Sequence, residues 1–115
     1  MRGDHWHKVE EAGALVVARR WPLRWDLGVV RVLPAMGSRA RLARQVRQDM
    51  WRALRDLRGF QPAVRVARKP EGMEVIAGGQ VDGPLPRAHA EAAIAAVLDC
   101  PERQARWARW ARWAA

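Results

Sequence analysis

The chain has 115 residues, half of them apolar and 29% charged, which is enough for one small folded domain and too apolar for a disordered chain. Its formal charge is +9, and all but Lys8 and Lys69 of the 21 basic residues are arginine, so polyanions or acidic proteins are the favoured partners. Lone Cys100 excludes an internal disulfide, and no apolar run nears the roughly 20 residues of a membrane helix. No membrane partner and a cytoplasmic setting are therefore expected. A coding bias toward Arg and Ala competes as the explanation of the arginine excess.

Residues 1–13, MRGDHWHKVEEAG, are polar and irregular, and read as disordered or as a short helix. Asp4, His5 and His7 are ligand types without a distant fourth ligand, so no metal is assigned. ALVVARRW at 14–21 fits a strand, or the end of a helix with Val9, Ala12, Leu15 and Val16 on one face, and the pattern leaves both open. Residues 1–26 are thus expected as an N-terminal extension of undecided structure, ahead of a domain spanning 27–115.

LGVVRVLP, bounded by Gly28 and Pro34, predicts a strand near 28–33. Ser38 is an N-cap candidate and Gly59 a stop, which predicts a helix over 38–58. AVRVAR, the turn KPEG and MEVIAGG predict a β-hairpin over 63–79, with Gly78 and Gly79 marking a bulge or a close backbone approach. Pro86 opens an Ala-rich helix to Leu98. Asp99 and Glu102 have the spacing of a capping box for a last helix over 100–113. This order predicts an α+β fold, a small antiparallel sheet packed against three helices.

The last eleven residues, ARWARWARWAA, repeat every three positions. On a helix Trp107, Trp110 and Trp113 drift by only about 120° and form one slanting stripe between an Ala flank and an Arg flank. Because each buried indole removes on the order of 150–250 Å² from water, the stripe is expected to pack onto the fold, ahead of binding a nucleic acid or a membrane.

The 38–58 helix sorts its faces more sharply. Leu42, Val46, Met50, Ala53, Leu54 and Leu57 share an arc of about 120°, the expected core stripe. Opposite lie Arg41, Arg44, Arg47, Arg52, Arg55 and Arg58, with Trp51 amid them and Asp49 and Asp56 on the far border. Guanidinium groups fix a phosphate backbone and an indole offers a stacking platform, so this face reads as a binding surface. The competing reading buries Trp51 under a neighbouring element and leaves the arginines as a solvated face. Arg65 and Arg68 extend the surface if strand and helix faces are continuous. The expected site is Arg41, Arg44, Arg47, Trp51, Arg55, Arg58 and Arg65.

His89 beside Glu91, and Cys100 at a helix start, lack the partners a catalytic role needs. No phosphate loop, dinucleotide fingerprint, serine elbow or carboxylate pair is present, so no enzyme activity, cofactor or small-molecule substrate is expected. The expected function is a small basic module that binds nucleic acid through its arginine-rich helix. The alternative is an adaptor or inhibitor docking on an acidic or nucleoprotein partner, like the compact anti-CRISPR-type proteins that phages encode. A structural subunit whose Trp-rich tail completes an oligomer is the third reading.

Overall fold

The computed structural model describes residues 6–112. In chain order it forms β1 (His7–Glu11), β2 (Ala14–Ala18), β3 (Leu27–Leu33), α1 (Arg39–Ala53), β4 (Phe60–Lys69), β5 (Gly72–Val81), α2 (Arg87–Leu98) and α3 (Pro101–Ala111). The strands make one five-stranded sheet in the order β1-β2-β4-β5-β3, every neighbouring pair antiparallel. Three helices pack against this sheet in an α+β arrangement.

Period-two alternation divides the sheet into two faces. Leu15, Val17, Val64, Val66, Met73, Val75 and Ala77 share one buried cluster with Leu42, Val46 and Met50 of α1, Ile94 and Leu98 of α2, and Trp107 of α3. The other face carries the partners Val16, Arg65 and Ile76, together with Ala18, Ala63, Val30 and Val32. Among the described residues no helix covers that face, where Val30 and Val32 stay about half exposed.

β1 and β2 come from the 1–26 region; β2 pairs with β4 and β1 with β2, and α1 packs on β2 and β4. Pairing decides what periodicity left open at 14–18: each residue of β2 finds a ladder partner on both sides, and the helical alternative has none.

Helix α1 starts as expected, the Ser38 hydroxyl accepting from the Arg41 N–H at 3.1 Å. It stops at Ala53 rather than at 58, with Leu54 as its C-cap. Leu54 is the last buried residue of the stripe, and a turn closed by Leu57 N–H donating to Leu54 O (2.9 Å) sends the chain back under the helix. Gly59 completes this reversal at φ 75°, accepting from Asp82 N–H at 2.8 Å. Arg55 and Arg58 therefore lie beyond the helix, and Ala53 is exposed.

The hairpin is longer than expected, Phe60 pairing with Val81 at its open end, and Pro70 and Glu71 form the two-residue turn between Lys69 and Gly72. Gly78 does mark a close approach, since a Cβ there would fall on the Leu27 carbonyl oxygen. The capping box does not form. Cys100 precedes α3 with Pro101 in its first turn, and Asp99 instead accepts from Arg31 of β3 at 2.8 and 3.2 Å.

Candidate nucleic-acid interface

The C-terminal helix is held to α1 by a buried carboxylate. Asp49 is 5% exposed and accepts from the Trp107 indole at 2.7 Å, from Arg106, and from Arg52 at 3.5 Å. Asp49 is thus a structural anchor rather than a border residue of the basic face. Ser38 N–H donating to Ala111 O at 2.7 Å fixes the other end, so α3 runs antiparallel to α1.

This seating divides the tryptophan repeat. Trp107 and Ala111 are buried in the core, whereas Trp110 is 59% exposed and stands beside Arg41, Arg44, Gln45 and Gln48 of α1. Trp113 lies outside the described residues, as do Asp4 and His5.

The basic face of α1 is consequently flanked by indoles. Arg41, Arg44 and Arg47 follow at three-residue spacing, which stacks their side chains along one line of the helix surface. Trp110 stands at one side of that line. At the other is Trp6, immediately before β1, which shares one recess with Arg41, Arg44 and Arg47 and a second with Arg47, Gln48 and Trp51. Trp51 is 51% exposed, so the reading in which a neighbour buries it does not hold.

Arg47 is the most unusual of these cations. Its guanidinium stacks over the Trp6 ring at 4.1 Å from the centroid, while Arg19 approaches the same ring at 5.9 Å. The Arg47 Nε is buried without a hydrogen-bond acceptor. Burial, then the positive charges of Arg44 and Arg19, push the Arg47 guanidinium below its ordinary pKa.

Arg44 and Arg47 form no ion pair among the described residues. Eight of the described carboxylates are engaged elsewhere: Glu10 with Arg39, Glu11 and Glu74 with Arg65, Asp26 and Asp82 with Arg24, Asp49 with Arg106, Glu91 with Arg87, Asp99 with Arg31.

No family model, curated protein or solved structure matches this chain. The site therefore stands on its own chemistry.

Of the expected residues, Arg41, Arg44, Arg47 and Trp51 come together on the outer face of α1. Arg55 and Arg58 are exposed in the turn that follows it and form no ion pair among the described residues. Arg65 is not part of the assembly. It lies on the sheet face away from α1, where Glu11 (3.6 Å) and Glu74 (3.7 Å) flank it, because odd-numbered residues of this part of β4 point away from the helices. Arg68 lies on the helix side and is used internally, donating to the carbonyls of Met36 and Gly37 at 2.8 and 2.7 Å.

Sequence reasoning missed Trp6, Arg19, Phe60 and Gln61. Trp6 and Arg19 flank strands that had no assigned partner, so nothing local placed them beside α1. Among the described residues no group of three or more His, Cys, Asp or Glu is arranged to hold a metal ion. No helix among them is long and apolar enough to cross a membrane.

Proposed function

We propose that this chain is a small, cytoplasmic, non-enzymatic nucleic-acid-binding module whose contact surface is the outer face of α1. Arg41, Arg44 and Arg47 engage successive phosphates, and Trp110 and Trp51 offer stacking platforms to bases. The observation that carries this reading is the pair Arg44 and Arg47, two cations with no carboxylate partner among the described residues, beside a half-exposed indole. Twenty-one basic residues exceed twelve acidic ones, so some cations must stay unpaired, and two of these stand together on one helix face.

The test is a salt titration of binding to fluorescent single- and double-stranded oligonucleotides. A polyanion held by several cations loses affinity steeply as salt rises, the slope counting the phosphates engaged. Tight, salt-steep binding that weakens in Arg44→Ala supports the reading, and no binding at physiological salt overturns it.

A second reading, docking as an adaptor or inhibitor on a protein or nucleoprotein complex, is favoured by the far side of the sheet. There Val30 and Val32 are half exposed, and the Trp25 ring and Ile76 border the open space beside Gly28. A saturable one-to-one complex with a protein, lost in Val32→Lys and kept in Arg44→Ala, would favour that reading.

A further inference from the structure

The recess beneath the C-terminal half of α1 has a composition that phosphate-backbone binding alone does not require. Its volume is about 460 Å³, within the roughly 300–1,000 Å³ range of ligand sites. Buried Phe60 and Pro62, at the start of β4, form its apolar floor, and half-exposed Trp51 is one wall. Beside Trp51, one turn back along α1, is the Arg47 guanidinium on the Trp6 ring, with Arg19 nearby. Gln48 completes the lining, and its side-chain amide makes no hydrogen bond among the described residues.

Each of these features asks for a different part of one ligand. An exposed indole above an apolar floor suits a planar ring. An unengaged amide, with both donor and acceptor, suits a ring edge that carries both. A stacked guanidinium with no carboxylate partner among the described residues, with a second guanidinium close by, suits a dianion. An aryl phosphate such as phosphotyrosine satisfies the first and third and leaves the amide idle. A nucleotide satisfies all three.

We propose that this recess is a pocket for a single unstacked nucleotide, with its base against Trp51 and Phe60, its base edge on Gln48, and its phosphate on Arg47. The inference rests on the nucleic-acid reading above and deepens it. The arginine line holds the strand, and the pocket takes one base out of its stack.

The test compares thymidine 5′-monophosphate, thymidine, inorganic phosphate, phenyl phosphate, dT12 and a 12-mer of abasic deoxyribose by calorimetry at fixed salt. Thymidine monophosphate is expected to bind at least tenfold more tightly than thymidine or phosphate. dT12 is expected to bind at least tenfold more tightly than the abasic strand, the scale of one stacked base. The monophosphate arm reports the free nucleotide as source and the dT12 arm a nucleotide within a strand.

Both advantages should vanish in Trp51→Ala. Arg47→Gln should lose the monophosphate, with Arg47→Lys in between because it keeps the charge without the planar stack. Unchanged thermal melting of each variant separates loss of the pocket from loss of the fold. Equal affinity for dT12 and the abasic strand, together with no preference for the monophosphate, overturns the pocket while leaving the strand-binding reading intact. Absence of all oligonucleotide binding overturns both, and tighter binding of phenyl phosphate than of thymidine monophosphate reassigns the recess to an aryl phosphate.

Discussion

The Trp107 indole N–H donates to the Asp49 carboxylate at 2.7 Å, and this buried bond joins two helices whose residues stand 58 positions apart in the chain. The same carboxylate accepts from Arg106. Replacing Asp49 by Ala leaves a buried indole donor without an acceptor, a loss of about 1–3 kcal/mol. Asp49→Asn keeps an acceptor and should cost less. Urea denaturation of the two variants checks the order, and equal losses would show that the carboxylate does not hold α3.

The arginine–tryptophan repeat should behave as two different kinds of residue. Trp107→Ala opens a cavity in the core and should cost about 3–5 kcal/mol. Trp110→Ala removes a mostly exposed ring and should change stability by less than about 0.5 kcal/mol. In oligonucleotide binding the order should reverse for Trp110, with affinity falling while the fold persists. Thermal melts paired with binding isotherms decide it.

Arg44 and Arg65 are both arginines of the expected site, but only Arg44 sits on α1. Arg44→Ala should lower the salt-dependence slope of oligonucleotide binding by about 0.7–0.9, one phosphate contact. Arg65→Ala should leave slope and affinity within about twofold, because Arg65 is paired with Glu11 and Glu74 on the far face. Equal effects in a salt titration would place the contact surface elsewhere.

Asp26 supplies a pH dependence. The Arg24 guanidinium, then the Val81 N–H, hold its carboxyl at about 2, below its ordinary 3.8. The unfolded chain binds this proton more readily than the folded one, so the stabilising contribution is fully present above about pH 4. It is lost as pH falls from there toward 2. In acid titrations of stability, the gap between wild type and Asp26→Asn should be constant above about pH 5 and close toward pH 2.

Two glycines with positive φ should respond differently to alanine. At Gly59 a Cβ would fall on the Asp82 carbonyl oxygen, at the reversal that sends α1 into β4. At Gly13, between β1 and β2, nothing lies within 4 Å. Gly13→Ala should cost about 1 kcal/mol for conformation alone, and Gly59→Ala clearly more, on the order of 2–3 kcal/mol. Chemical denaturation distinguishes them.

Local chemistry determined much of this protein. Ser38 beside a polar–apolar period of 3.6 specified where α1 begins, and KPEG between alternating runs specified the β4–β5 turn. The spacing of Arg41, Arg44, Arg47 and Trp51 fixed which of them share a face, because helical geometry depends on neighbours three and four apart. Tertiary structure decided everything that depends on distant partners. Strand β2 carries no signal beyond a short apolar run and β1 carries none, and they become strands by pairing, β2 with β4 and β1 with β2. The same pairing turns Arg65 away from α1, since strand side chains alternate between faces and only packing says which face is covered. Asp49 reads as a surface acid on the wheel until α3 folds over it. Trp6, Arg19, Phe60 and Gln61 meet around Arg47 only because three strand ends converge under one helix, a juxtaposition that residues so far apart in sequence cannot announce.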